Sequence, residues 1–390
     1  MNHSIVEQIN ARASLRALCA VSIVIIVLLV GASVGEANEV NLTFAAQFDT
    51  SGSALCVDVA GNYAYVAEDN GIVVVDISSP TTPSLAGNYL TTDHAYGVVV
   101  EGNYAYIADY SNGLVVVDIS DPTKPALAGS YNTSGFALGI DVAGNYAYIA
   151  DYSNGLVVVD ISNPTAPALA GSYDTAGYAY AVVVEGNYAY VADYNNGLAV
   201  VDISNPTAPA LAGSYDTTGY ALGIDVAGNY AYVADRENGL VIVNISTPLS
   251  PYFMGKSDAP LSAHGVEVTG NYAYVADREK GIVVVDIRDS TAPALAGNYD
   301  TNYALWVTLA GDHIYVADYD NGLVILNTVG IKGDFNGNGR VDIGDAAKVA
   351  AMVAGKVPED LGADFNENNR VDIGDAAKIA AYLAGKIGEL

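Results

Sequence analysis

Two kinds of short apolar segment alternate along most of the chain. One is a continuous run such as Leu156–Val159, and the other alternates apolar and aromatic positions, as in the NYAYIA segment that starts at Asn145. Both kinds are rich in Val, Ile and Tyr, a composition typical of β-strands. AGN, DYSNG and SNPTAP segments separate them and favour turns. The pattern therefore predicts short strands joined by tight turns.

The strands belong to a repeat. One unit, Ala137–Thr175, contains four predicted strands, which is the content of one blade of a β-propeller. The pentapeptide GNYAY marks six units and GDHIY marks a seventh, at spacings of 41 or 42 residues. These markers begin at Gly61, Gly102, Gly144, Gly186, Gly228, Gly270 and Gly311.

The ends of the array indicate how it closes. The seventh unit stops after its third strand, Gly322–Asn327, while the separate segment Leu42–Thr50 aligns with the fourth strand of the other units. We therefore expect the N-terminal strand to complete the last blade, which removes the open sheet edges of the array. The fold class is mainly β, a seven-bladed β-propeller over residues 40–328. An open β-solenoid is the alternative.

The segments GLVVVDIS and GLVIVN carry a resemblance to a known family. They resemble the LVIVD-repeat family of bacterial and archaeal surface proteins, which is generally taken to be a propeller. The resemblance implies the fold over about the whole array and brings no catalytic motif with it. An aspartate ends the second strand of six units just before an Asn-Gly type turn, and we interpret this repeated residue as a turn cap.

The N-terminus has the order of an export signal. Arg12 and Arg16 precede an uncharged stretch, Ala17–Val34, which small residues follow, so we predict a signal peptide over residues 1–37. An uncleaved membrane anchor is the alternative, because this stretch is just long enough to span a bilayer. In either case we expect an extracellular or cell-surface location.

Composition excludes several classes of protein. The chain has 390 residues, 51% of them hydrophobic, which argues against a disordered acidic chain, and its 2 cysteines cannot form a disulfide scaffold. The net charge is −29. A nucleic-acid partner is not expected, because phosphate binding requires basic side chains.

The few cations of the repeat region mark a candidate binding face. Five of its six basic residues lie between positions 236 and 288, and two of them, Arg236 and Arg278, replace the tyrosine that stands in the same turn of other units. We predict that they converge on the rim of one propeller face beside aromatic residues, as a site for anionic sugars or carboxylated ligands. The alternative is simple pairing with Glu237 and Glu279. The predicted ligand-binding residues are Arg236, Arg278, His264, Tyr178, Tyr220 and Tyr303.

Catalysis has little support in the sequence. The three histidines of the repeats belong to different units, and a Gly-x-Ser-x-Gly elbow is missing. We interpret Trp306 and Cys56, which occupy a small-residue position of the repeat, as packing adjustments. The sequence favours a non-catalytic binding protein; a polysaccharide-degrading glycoside hydrolase or lyase is the alternative, and two close, non-repeated carboxylates in a deep pocket would favour it.

The last sixty residues contain a duplicated motif. DFNGNGRVDIGD and DFNENNRVDIGD each place oxygen-bearing residues at the spacing of a Ca²⁺ loop, and a helical run follows each. The duplicated loop and helix resemble the dockerin module, over residues 331–390. The resemblance implies two Ca²⁺ ions bound by Asp334, Asn336, Asn338, Arg340 (carbonyl), Asp342 and Asp345, and by Asp364, Asn366, Asn368, Arg370 (carbonyl), Asp372 and Asp375.

The dockerin resemblance also implies a partner. Dockerins dock to cohesin modules of scaffold or cell-surface proteins. The recognition positions depart here from the Ser-Thr and Lys-Arg pairs of many cellulosomal dockerins, so we expect a more apolar contact surface. The partner-binding positions are Ile343, Gly344, Ala350, Ala351, Ile373, Gly374, Ala380 and Ala381.

Overall fold

The computed structural model describes residues 40–329, a unit that begins at Val40 and ends at Val329. This unit contains strands and turns, and within it there is no helix long and apolar enough to cross a bilayer. The predicted signal peptide (residues 1–37) and the predicted dockerin-like segment (residues 331–390) lie outside the described residues. Those two assignments therefore stay predictions.

The described residues form 28 strands. Their bounds are β1 (Asn41–Phe48), β2 (Cys56–Ala60), β3 (Tyr63–Glu68), β4 (Gly71–Asp76), β5 (Ser84–Leu90), β6 (Gly97–Glu101), β7 (Tyr104–Ala108), β8 (Leu114–Asp118), β9 (Ala126–Tyr131), β10 (Gly139–Ala143), β11 (Tyr146–Ala150), β12 (Leu156–Asp160), β13 (Ala168–Tyr173), β14 (Ala181–Glu185), β15 (Tyr188–Ala192), β16 (Leu198–Asp202), β17 (Ala210–Tyr215), β18 (Gly223–Ala227), β19 (Tyr230–Ala234), β20 (Leu240–Asn244), β21 (Tyr252–Ser257), β22 (Ala263–Thr269), β23 (Tyr272–Asp277), β24 (Gly281–Asp286), β25 (Ala294–Tyr299), β26 (Trp306–Ala310), β27 (His313–Asp318) and β28 (Gly322–Val329).

The strands pair into seven four-stranded antiparallel sheets, the blades. In blades 1 to 6, from β2–β5 to β22–β25, four consecutive strands pair in chain order. Blade 7 has the order β26-β27-β28-β1. The first strand of each blade contacts the first strands of both neighbouring blades, and β2 contacts β26. The predicted seven-bladed propeller is confirmed, and the alternative of an open solenoid is wrong.

The N-terminal strand closes the ring as the sequence predicted. β1 pairs antiparallel with β28, with Leu42 opposite Thr328 and Phe48 opposite Leu323. Leu42 is buried in a core cluster that includes Val324 and Leu326. The two ends of the repeat region are therefore joined in one sheet, which leaves no blade with a missing outer strand.

Blade stacking explains the two apolar patterns. The third strand of blade 3, Leu156–Asp160, is buried at its first four positions because neighbouring blades cover both of its faces. Tyr148 is buried and Tyr146 is partly buried in the same cluster, where they pack against blade 4 residues such as Val182. The alternating NYAY segment thus turns its two tyrosines towards the next blade.

In blades 1 to 6 the outer strand contains one glycine that lies close to the next blade. In blade 3 the register between β12 and β13 shifts at Val158/Val159, beside Gly171. A Cβ atom on Gly171 would lie 2.6 Å from the carbonyl oxygen of Pro206 in the next blade. The glycine of ALAGSY is therefore a contact point between blades, and a larger side chain would push the next blade away.

Trp306 lies where the first strands meet at the centre of the ring. It packs against core clusters that include Val98 in blade 2, Ile224 in blade 5 and Val57 in blade 1. Cys56, at the equivalent position of blade 1, is buried, and burial raises the pKa of its thiol to about 12. Both residues have the packing roles that the sequence predicted.

Candidate functional site

Aromatic side chains from three positions of the repeat lie together on one face of the ring. We name this surface the aromatic face. The turn position follows the second strand, the loop position lies in the connection from the preceding blade, and the mouth position lies at the start of the first strand or just before it. The members are Tyr110, Tyr152, Tyr194, Arg236, Arg278 and Tyr319 (turn), His94, Phe136, Tyr178, Tyr220, Ser262 and Tyr303 (loop), and Tyr96, Tyr180 and His264 (mouth).

Buried aspartates hold the turns of this face. The Asp151 carboxylate accepts hydrogen bonds from Thr133 Oγ1 at 2.6 Å and from Asn154 Nδ2 at 2.8 Å. Thr133 lies in the connection from the preceding blade, so the carboxylate fixes this loop to the turn. Asp193 makes the same two types of bond, from Thr175 and Asn196. These contacts agree with the predicted structural role of the repeated aspartate.

The turn position itself adopts an unusual backbone. Tyr110, Tyr152, Tyr194 and Arg236 have φ values of 37°, 48°, 46° and 39°, in the left-handed region that non-glycine residues rarely occupy. Each such residue costs of order 1–3 kcal/mol. Each also forms an isolated antiparallel bridge to an alanine of the next blade, such as Ala179 for Tyr152. The bridges fix the backbone that presents these side chains.

The aromatic side chains stack from blade to blade. Tyr152 and Tyr178 have ring centroids 4.3 Å apart and planes within 6° of parallel. The same contact joins Tyr110 to Phe136 at 4.4 Å and Tyr194 to Tyr220 at 4.5 Å. In each pair a turn residue of one blade stacks on the loop residue of the next, so blades 2 to 5 share one aromatic wall.

The two arginines interrupt the wall. The Cζ atom of Arg278 lies 4.6 Å from the ring centroid of Tyr303, and that of Arg236 lies 5.7 Å from the centroid of Tyr220. Both are cation–π distances. The next loop residue after Arg236 is Ser262, where other blades place an aromatic ring, so Arg236 lacks the stacking partner that the turn tyrosines have.

The charge of the two arginines is only partly compensated. Arg236 Nε lies 3.3 Å from Glu237 Oε1, as the pairing alternative predicts. Among residues 40–329, however, Arg278 forms no ion pair, and its Nε is buried without a hydrogen-bond acceptor. Burial and the nearby Arg236 charge lower the pKa of Arg278. This part of an acidic protein therefore has positive charge available to a ligand.

His264 lies beside the two arginines and is neutral. Burial and the charge of Arg278 lower its pKa to about 4, and its Nδ1 lies 3.2 Å from the carbonyl oxygen of Leu305. His264 thus adds a ring with a fixed hydrogen bond, but no further charge near pH 7. The structure thus brings Arg236, Arg278 and His264 near one another, and their role in ligand binding stays a prediction.

The aromatic partners of the site are only partly those predicted. Tyr220 and Tyr303 lie under the arginines, whereas Tyr178 stacks on Tyr152 within the aromatic wall. Tyr152 and Tyr194 line the same face, although the sequence pattern predicts no binding role for them. Their signal was present as aromatic residues one repeat apart, but stacking across blades depends on the left-handed turns.

The central channel contains a cavity of about 280 Å³. Asp58 and Asp141 line it, and each carboxylate accepts one backbone hydrogen bond from its own strand and one from the next blade. Asp225, at the same position of blade 5, accepts the same two hydrogen bonds, which join neighbouring blades. Within residues 40–329, no three His, Cys, Asp or Glu side chains are placed to hold a metal ion. The polysaccharide-degrading alternative gains no support from this pocket.

The fold and the face together define a seven-bladed β-propeller with aromatic side chains stacked along one face. Seven segments between residues 51 and 327 match the LVIVD repeat, and the chain belongs to the LVIVD-repeat family. The matched segments are residues 51–91, 93–133, 134–175, 176–217, 218–259, 262–301 and 303–327. No curated protein sequence matches the chain significantly.

Solved propellers share the fold at low sequence identity. The Cps50 (Swd1) β-propeller domain of Myceliophteria thermophila superimposes with a TM-score of 0.61 at 12% identity, over 74% of this chain and 100% of that chain. The Pan2 WD40 domain of Neurospora crassa gives 0.60 at 9%, over 75% and 98%. BamB from Moraxella catarrhalis gives 0.51 at 14%, over 73% and 97%. These similarities concern the fold alone.

Proposed function

We propose that the protein is an exported, non-catalytic binding platform whose aromatic face binds a carboxylate-bearing ligand, with acidic oligosaccharides as the ligand class. Stacked tyrosines offer planar apolar surfaces for sugar rings, and a guanidinium binds a carboxylate through two parallel hydrogen bonds. The structural basis is a propeller of LVIVD repeats, a fold that serves as a rigid support for a binding surface.

One observation carries the proposal. Arg278 lies over the Tyr303 ring, near a second arginine, and its Nε is buried with no acceptor. Among residues 40–329 no acidic side chain pairs with this half-buried guanidinium, and a ligand carboxylate on its exposed side would compensate its charge. The two arginines also disfavour cationic ligands at this patch, because like charges repel.

The test is isothermal titration calorimetry with an oligogalacturonate and with a neutral galactan oligomer of the same length. We expect the wild type to bind only the acidic oligomer, and Arg278→Gln to weaken it by about tenfold to a hundredfold, from the about 1.5–3 kcal/mol of a charged hydrogen-bonded pair. The matched control is Lys124→Gln, an exposed cation in the loop between β8 and β9, at the opposite end of the blade. Equal binding of both oligomers, or equal loss in both variants, would contradict the proposal.

The segment 331–390 supplies the second half of the proposed function. The two loops have the oxygen-ligand spacing of Ca²⁺ sites, and we propose that they bind two Ca²⁺ ions and dock the propeller to a cohesin module. The support is the duplicated sequence motif. Calcium-dependent pull-down of a cohesin-bearing protein from the host's secreted fraction tests it. Retention that EGTA does not release would contradict calcium-dependent docking.

A further inference from the structure

The cavity of the central channel is lined by carboxylates and aromatic rings, and neither Arg236 nor Arg278 is among its lining residues. Five inner features surround it: the carboxylates of Asp58 and Asp141, the rings of Tyr96 and Tyr180, and the indole of Trp306. Apolar and small residues of the first strands form the rest of its wall, and no Lys, Arg or His of the described residues lines it. The cavity therefore combines negative charge with aromatic surfaces.

The two carboxylates have no cationic partner. Among residues 40–329, neither Asp58 nor Asp141 takes part in an ion pair. Each of their oxygens accepts one backbone N–H, for example Val100 N to Asp58 Oδ2 at 2.7 Å, and a carboxylate oxygen can accept a second bond. Burial raises the pKa of both carboxyls, and the nearby Asp58 charge raises that of Asp141 further, so a cation in this channel would stabilise their ionised forms.

The aromatic residues lie at the entrance and on the wall of the cavity. Tyr96 and Tyr180 are mouth residues of the aromatic face, so the cavity is reached from that face. Tyr180 is fixed by stacking on Tyr194 at 5.1 Å, and Tyr96 lies 5.4 Å from Tyr110. Aromatic faces together with carboxylates are the surroundings that attract an organic ammonium ion.

We propose that this cavity is a binding site for a small quaternary ammonium ion. The volume of about 280 Å³ is slightly below the about 300–1,000 Å³ of drug-sized ligand pockets, which suits a small ligand. The ammonium group would lie between the Asp58 and Asp141 carboxylates, with its methyl groups against the rings of Trp306 and Tyr180. The site is independent of the anion-binding role proposed for Arg236 and Arg278.

The chain provides a built-in probe for this site. Trp306 is the single tryptophan of the sequence and lines the cavity, so its fluorescence reports occupation directly. Titration uses choline, with 3,3-dimethylbutan-1-ol as the neutral compound of the same shape, at constant ionic strength set by NaCl. We expect a saturable change with choline and at least about tenfold weaker binding of the neutral compound, from the cation–π and charge attraction.

Matched variants separate the site from general structural effects. Asp141→Asn should remove the choline response. Asp225→Asn should leave it unchanged, because Asp225 accepts the same two backbone hydrogen bonds, from the N–H groups of Val226 and Val268, but does not line the cavity. The comparison of choline with its neutral analogue uses the wild-type protein, so it tests the proposal even if a variant does not fold. Equal responses to choline and its neutral analogue, a larger response to Ca²⁺ than to choline, or an unaltered choline response in Asp141→Asn would each overturn the proposal.

Discussion

Closure of the ring by β1 leads to a quantitative prediction for Leu42→Ala. Leu42 is only 6% exposed and packs in the core cluster between blades 6 and 7. The substitution removes three carbon atoms, which at about 0.8 kcal/mol for each buried methylene amounts to roughly 2.4 kcal/mol. The cavity left behind adds to this, so we expect a loss of about 3 kcal/mol in the free energy of unfolding.

The assay is urea unfolding followed by Trp306 fluorescence. Trp306 begins β26 in the blade that β1 completes, so it reports on the affected sheet. The control is Phe44→Ala on the same strand, because Phe44 is larger but 52% exposed and should cost less than about 1 kcal/mol. Similar midpoints for Leu42→Ala and wild type, or a larger loss in Phe44→Ala, would refute closure through a packed β1.

Three further predictions concern the tail, pH and the thiol. In scanning calorimetry, EDTA should lower the melting temperature of the 331–390 segment and leave that of the ring nearly unchanged; equal loss in both would contradict two separate units. Burial raises the pKa values of Asp193 and Asp235 to about 6 and of Glu267 to about 7, so their contribution to stability is complete at low pH and is lost as pH rises through these values. The free energy of unfolding should therefore rise from pH 7 to pH 5, and a flat or opposite dependence would contradict the assignment. Cys56, with a pKa of about 12, should resist iodoacetamide at pH 8 in the native protein and react once urea unfolds it.

The ring could be predicted because the same sequence pattern recurs in every blade. Each blade contains the same four strands, so one unit such as Ala137–Thr175 predicts all the others, and the unmatched segment Leu42–Thr50 predicts the closure. The buried third strands follow from the same repetition, because a continuous apolar run can be covered on both faces only between stacked blades.

The aromatic wall was harder to predict because it depends on backbone geometry. Tyr152 reaches Tyr178 only because the turn position has a φ of 48° and is bridged to Ala179. A tyrosine in a turn gives no such signal in the sequence. Arg236 and Arg278 could be singled out from the sequence because they replace the tyrosine that other units have in the same turn.

The contacts of the inner carboxylates were also not predictable from the sequence. The sequence does not match Glu267 to a role, whereas the structure places its carboxylate oxygens 3.2 Å from the Leu309 backbone nitrogen in the next blade. Contacts between blades join residues about one repeat apart, and the pattern of a single strand does not reveal them. The cavity beside Trp306 is a consequence of the same inter-blade geometry.

The central claim is that Arg278 receives a ligand carboxylate on the aromatic face. A crystal structure of the propeller with a bound oligogalacturonate tests this most directly. The account predicts a carboxylate within ion-pair distance of the Arg278 guanidinium, with a sugar ring against a tyrosine of the face. Density for the oligomer on the opposite face, or on this face with Arg278 uncontacted, would contradict it.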